Sequence, residues 1–247
     1  MRATTWPRCA FRCALAALLL FPAARARAQG AKPAAGAGAE AGWTALFDGK
    51  SLDGWAVRGG KAAYRAEAGA IVGTTVEGSA NTFLCKGPYK DFILEFEVKC
   101  DPRLNSGCQV RSHVYGMGTL YPAEGGREPR EGVVYGPQCE IATNGTAGRF
   151  YDEGRRGQWI NELLGEEAAK ALRPDAWNAY RIVVQGDRYR SYVNGVACSD
   201  FRDANDPEGL IGLQVHAVPK GAGPYEVRWR NVRLRELKPG EDATSIE

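Results

Sequence analysis

From Phe92 onward the chain is a succession of short segments in which apolar and polar residues alternate, each ended by Gly, Pro, Asn or Asp. No other feature of the sequence limits the fold so tightly. Alternation with a period of two is the signature of a strand with one face buried. It predicts strands over 92–99, 107–114, 135–143, 180–185, 189–193, 211–216 and 225–235. One stretch, 160–172, has a helical period before Pro174, and it is too short and isolated to organise a parallel sheet. Without crossover helices, the way to bury so many one-sided strands is to pack two antiparallel sheets face to face, so the expected class is all-β.

The ends read differently. Arg2, Arg8 and Arg12 precede an uncharged Ala/Leu-rich run from Cys13 to Phe21, followed by Pro22 and the Ala26-Arg27-Ala28 triplet. This is the pattern of a secretory signal peptide over 1–28, and the expected location is therefore outside the cytoplasm, periplasmic or extracellular. The apolar run is far shorter than the roughly 20 residues a membrane-spanning helix needs, so no stable membrane anchor is expected. Residues 29–41 read as a flexible Ala/Gly/Pro linker, 42–238 as one domain large enough for its own core, and 239–247 as a polar tail.

Charge and cysteine usage exclude several functions. The 32 Lys and Arg residues and 29 Asp and Glu residues are interleaved, with a net charge of +3, which gives no electropositive track for nucleic acid. Cys85, Cys100, Cys108, Cys139 and Cys198 are odd in number and lack CxxC spacing, so neither a zinc knuckle nor a complete disulfide framework is expected. Cys108 and Cys139 read as small core residues. The Gly/Pro/Glu-rich stretch 116–132 reads as a long loop of the kind that often serves a site.

Strand alternation also sorts side chains by face. It sets Gln109, Arg111 and His113 opposite Cys108 and Val110; Gln138 and Glu140 opposite Cys139 and Ile141; and Gln214 and His216 opposite Ile211, Leu213 and Val215. Both histidines of the chain thus fall on polar strand faces. Neighbouring strands of this kind would pave one sheet face with Arg, His, Gln and Glu, either as a ligand site or as an ordinary solvated surface. Arg155 and Arg156, beside Asp152 and Glu153, read equally as a clamp for a ligand diol or as local ion pairs. Trp159 reads as a sugar-stacking platform or as packing, and Trp43, Trp55, Trp177 and Trp229 read as core.

Longer motifs carry a resemblance that spans nearly all of the chain after residue 41. The run Gly42-Trp43-Thr44-Ala45-Leu46-Phe47-Asp48-Gly49 through Asp53-Gly54-Trp55 resembles the opening motif of the 3-keto-disaccharide hydrolase family. The likeness continues in Asp91-Phe92-Ile93-Leu94, Asn105-Ser106-Gly107 with Arg111, Gly136-Pro137-Gln138-Cys139-Glu140-Ile141, Tyr151-Asp152-Glu153-Gly154-Arg155-Arg156-Gly157, Trp177-Asn178 and the Asn194-Gly195 turn. It implies a concanavalin A-like jelly roll, with a site for carbohydrate on its concave face. Two departures stand out: Gln138-x-Glu140 followed by Thr143 replaces Glu-x-Gln followed by Ile-x-Asp, and Thr146-Ala147-Gly148 replaces Thr-Gly.

The chemistry implied is cleavage of 3-keto-glycosides by elimination and water addition. A ketone at C3 acidifies the C2 proton, and the glycosidic oxygen on C1 can then leave. The step needs a base, a donor for the enolate oxygen and an acid for the leaving group. The resemblance and the residue types nominate Glu140 or His113 as base, Arg111 as enolate stabiliser and His216 or Tyr151 as acid, with Asn105, Gln109, Gln138, Glu153, Arg156 and Trp159 holding substrate. No cofactor is expected; a divalent metal on Glu140, His113 and His216 is the one conceivable exception. Jelly-roll glucanases carry Glu-x-Asp-x-x-Glu, which is absent here. The alternative from a different class is a carbohydrate-binding module that performs no chemistry.

Overall fold

The structure, a computed structural model of the chain, describes residues 41–117 and 130–245. The expected signal peptide, residues 29–40 of the linker, and 118–129 of the long loop lie outside the described residues.

The strands are β1 (Thr44–Ala45), β2 (Ala56–Gly59), β3 (Ala63–Glu67), β4 (Ala70–Thr74), β5 (Thr82–Tyr89), β6 (Phe92–Cys100), β7 (Ser106–Val114) and β8 (Val134–Ile141). They continue with β9 (Phe150–Glu153), β10 (Asn178–Gln185), β11 (Arg188–Val193), β12 (Val196–Arg202), β13 (Gly209–Val215) and β14 (Glu226–Glu236). All pair antiparallel. One sheet has eight strands in the order β12-β11-β10-β6-β14-β4-β3, with β1 also on β14; the other has six in the order β2-β5-β13-β7-β8-β9. The all-β, two-sheet expectation holds, and each predicted strand is present with its ends moved by a residue or two. The expected helix over 160–172 shrinks to α1 (Glu166–Ala169). The sheet takes its first residues instead: the Ile160 N–H donates to the Phe150 carbonyl, and the Asn161 amide accepts from the Phe150 N–H and donates to Ser199.

The inner faces of the two sheets share one core. Phe92, Leu94, Phe96, Val98, Tyr180, Ile182, Val227 and Trp229 meet Leu84, Cys108, Val110, Cys139, Ile141, Ile211 and Leu213. Cys108 and Cys139 stand opposite each other across β7 and β8, and burial raises both thiol pKa values. Of the tryptophans expected in the core only Trp229 is fully buried. Trp43 and Trp177 lie half-buried under the guanidinium groups of Arg233 and Arg230, where cation–π contact replaces core packing. The expected polar tail is tied to the sheet as far as it is described, since Gln185 donates to the Glu241 carbonyl and accepts from the Ala243 N–H.

A bulge in β7 decides what reaches the site. Gln109 pairs with Gln138 but His113 pairs with Tyr135, so β7 carries one residue more than β8 between these pairs; Arg111 there has φ of +46°. An extra residue reverses the alternation beyond it. Gln109 stays on the outer face, Ser112 joins it there, and Arg111 and His113 turn away.

Candidate active site on the outer face of the six-stranded sheet

The site begins with residues that alternation places outward on β7, β8 and β9. On β8 these are Gln138 and Glu140; on β9, Tyr151 opposite Gln138 and Glu153 opposite Gly136. Asn105 precedes β7 and donates its amide N–H to Glu140 Oε2 at 3.0 Å. Gln138 donates to Glu140 Oε1 at 2.7 Å and accepts from Gln109 Nε2 at 3.3 Å, while Gln109 accepts from the Ser112 hydroxyl. The result is a directed relay from Ser112 through Gln109 and Gln138 to Glu140. Each amide has its orientation fixed by the previous donor, and the relay delivers an N–H to the carboxylate.

Glu140 is 5% exposed, and its partners are neutral amides. Burial therefore raises its pKa, with help from the nearby Glu153 charge; the two amide bonds and His216 oppose the shift without cancelling it. A carboxylate in this setting is a stronger base than one in water. His216, half-buried at the end of β13, is close enough to act on the Glu140 charge. Its Nδ1 lies 2.8 Å from the Ala217 carbonyl, which assigns the proton to Nδ1 and leaves Nε2 as the exchanging nitrogen. Asn81, just before β5, reaches Glu153 Oε1 at 3.4 Å. Strands β13, β7 and β8 separate the two, so this sheet curves enough for its flanks to meet across the polar face.

Beside Glu140 the rim is aromatic. Tyr151 meets Trp159 edge to face at 5.3 Å, and Trp159 is 37% exposed. Arg149, 8% exposed, lays its guanidinium 4.1 Å over the Trp159 ring and donates to the Asn161 carbonyl. Among the described residues it forms no ion pair, and burial lowers its pKa. The sequence reading missed Arg149; its place one strand from Glu140 follows from the β8–β9 pairing, where Glu140 N–H meets the Arg149 carbonyl.

Asn105, Gln109, Gln138, Glu140, Tyr151, Glu153, Trp159 and His216 thus share this face or its rim. Arg111, His113 and Arg156 do not, which corrects the expectation of one common face. Arg111 is 1% exposed and donates to the Lys90, Gly186 and Asp206 carbonyls and to the Asp91 carboxylate at 2.6 Å. His113 Nε2 lies 2.9 Å from Asp206, whose carboxylate also takes both Nη groups of Arg155, at 3.0 and 2.7 Å. Arg155 and Arg156 share Asp152, and Arg156 also grips Asp203 at 2.6 Å. Burial opposes the charge of Asp203, yet Arg156 and the Asn205 N–H hold its pKa below the ordinary value. The sandwich end is closed by these ion pairs. With His113 there, the conceived set of Glu140, His113 and His216 does not converge; among the described residues no three His, Cys, Asp or Glu side chains are grouped to hold a metal.

The two curved antiparallel sheets define a jelly roll of the concanavalin A-like class. The chain superimposes on a Parabacteroides distasonis protein proposed to be a glycosyl hydrolase with a TM-score of 0.50, at 18% identity over 80% of this chain and 94% of that one. A Bacillus subtilis protein of unknown function with a galectin-like fold gives 0.52, at 10% identity over 75% and 90%. A carbohydrate-binding module from Bacillus subtilis gives 0.48, at 14% identity over 74% and 96%. Among curated proteins none matches the sequence. The chain belongs to the family of 3-keto-alpha-glucoside-1,2-lyase-like domains, whose model matches residues 42–235.

Proposed function

We propose that the protein cleaves 3-keto-glycosides by β-elimination followed by water addition, with Glu140 as the base. The observation that carries this reading is the buried Glu140 carboxylate, held by the Asn105 and Gln138 amides and raised in pKa by its surroundings. Family membership and the jelly-roll fold are in keeping with a sugar substrate.

Glu140 takes the C2 proton, and the C–H electron pair forms the C2=C3 enolate. The enolate returns its electrons to C1–C2 as the C1–O bond breaks, and the departing oxygen takes a proton from His216 in its imidazolium form. Water then adds to C1 of the enone and gives a proton to the neutral His216, which restores the imidazolium, while protonated Glu140 returns its proton to C2 of the enolate so formed, giving net hydrolysis. With Arg111 engaged at the sandwich end, the enolate oxygen draws on neutral amide donors rather than a guanidinium. Trp159 and Tyr151 are placed to stack on the sugar or aglycone beyond the cleaved bond. The steps use side chains of this chain alone. In this reading the protein works outside the cytoplasm, its substrate is carbohydrate, and nucleic acid has no part. Among the described residues no helix is long and apolar enough to cross a membrane.

The test is to incubate the chain from Gln29 onward with 3-keto-glucosides and their unoxidised parents, with and without chelator, and to follow aglycone release. Release from the keto sugars alone, insensitive to chelator and lost in Glu140→Gln, is the expected result. Binding without turnover under every condition would leave a carbohydrate-binding jelly roll. Loss of turnover on chelation would bring a metal into the mechanism. Detection of the chain in the periplasm or medium, shortened near Ala28, tests export.

A further inference from the structure

One buried side-chain amide on this face has no partner among the described residues. Gln214 is fully buried, and neither Nε2 nor Oε1 makes a hydrogen bond to a described residue. Its neighbours Leu213 and Val215 belong to the core, so Gln214 faces outward on β13, between Gly212 and His216 along the strand. The strand beside it is β7, where Leu213 pairs with Cys108 and the Ser106 hydroxyl bonds the Gln214 carbonyl at 2.7 Å. The residue next to Cys108 on the outer face is Gly107, itself opposite Glu140 on β8. A Cβ at Gly107 would lie 2.5 Å from Gln138 Cδ, so the missing side chain is what lets the Gln138 amide lean across β7 toward β13. Gly107 thus stands between Glu140 on β8 and Gln214 on β13 on the outer face, with the Gln138 amide lying over it.

Both ends of the Gln109 and Gln138 amides are used within the relay, whereas among the described residues both ends of the Gln214 amide are unused. Burying an amide without partners destabilises a protein, and an apolar residue of similar shape would remove that cost. A buried amide in this state takes its partners from an ordered water or from a ligand. An amide offers a donor and an acceptor side by side, and the matching ligand group is an acceptor beside a donor, as in an α-hydroxy ketone.

We propose that Gln214 is the substrate-binding amide of this site: its Nε2–H donates to the C3 carbonyl oxygen of a 3-keto sugar, and its Oε1 accepts from the adjacent C4 hydroxyl. The assignment deepens the proposed function, and the donor to C3 strengthens as negative charge develops there in the enolate.

The test uses 3-keto-1-deoxyglucose, which keeps the α-hydroxy ketone and has no leaving group, so that binding is read separately from cleavage. Gln214→Met and Gln214→Leu are compared with the wild type by thermal melting and by calorimetric titration, and the Gln214 side-chain NH2 resonance is followed by NMR. Both variants should melt above the wild type and bind the keto sugar about tenfold more weakly, in line with the loss of one to two hydrogen bonds. The wild-type NH2 resonance should shift on titration. Unchanged affinity in a folded variant, or an unmoved NH2 resonance while the sugar binds, overturns the assignment, as does failure of the wild type to bind. Binding that depends on Gln214 without turnover of any 3-keto-glycoside would uphold the assignment and remove the elimination reading.

Discussion

Two polar clusters sit a few residues apart on the same strands and obey opposite rules. At the end of the sandwich, Arg111, His113, Arg155 and Arg156 meet Asp91, Asp152, Asp203, Asp206 and backbone carbonyls, with each charge answered by another charge or by several acceptors. On the outer face Glu140 has neutral partners, and among the described residues Arg149 has no paired carboxylate and the Gln214 side-chain amide has no hydrogen bond. A closed network spends its polar groups on holding the fold, whereas groups left short of partners are free to act on a ligand. One inserted residue in β7 divides the clusters.

The largest effect should come from opening the closed network. Asp206→Ala leaves Arg155 and His113 without their shared carboxylate in a buried setting and should cost about 3–5 kcal/mol of stability by denaturant unfolding. If the loss were a few tenths of a kcal/mol, the network would not be what holds that end. Gly107→Ala comes next: its Cβ must displace the Gln138 amide, and about 1–3 kcal/mol of destabilisation together with loss of turnover is expected. A stable, fully active variant would show that the relay does not orient Glu140.

The pH dependence sharpens the same contrast. The raised carboxyl of Glu140 contributes stability that is present below its unfolded value, roughly pH 4.3, and lost as pH rises through its folded value. The lowered carboxyl of Asp203 contributes above its unfolded value, roughly pH 3.9, and that contribution is lost as pH falls through its folded value. Glu140→Gln should therefore gain on the wild type as pH rises from 4 to 8, and Asp203→Asn should lose its disadvantage toward acid. Parallel curves for both variants would erase the distinction. The smallest effect belongs to Trp159→Ala at the half-open rim. Stability should hardly change, while KM for 3-keto-disaccharides should rise several-fold, as expected for about 1 kcal/mol of stacking.

Much of the fold was legible in the sequence because alternation reports burial directly, and β6, β7, β8, β10, β11, β13 and β14 follow it. So were Gln138, Glu140 and Gln109, which lie on regular stretches of ladder. Arg111 and His113 were misplaced because counting faces along a strand presumes one residue per position. Arg111 occupies a conformation with positive φ that its residue type does not announce. The helix expected over 160–172 was overridden by hydrogen bonds that Ile160 and Asn161 make with Phe150 on β9, a pairing outside the three- and four-residue spacings that a helical period reports. Gln214 was visible as a polar residue on the right face, but its lack of partners is a property of three strands at once.

Separating the two clusters by activity tests the account most directly. Glu140→Gln and His113→Gln, each shown folded by its melting curve, are assayed for aglycone release from a 3-keto-glucoside at pH 7. The account predicts that Glu140→Gln loses about 10²–10⁴-fold in kcat while His113→Gln keeps its kcat within a few-fold at some cost in stability. A folded His113→Gln that is inactive beside an active Glu140→Gln would contradict it and move the chemistry to the sandwich end.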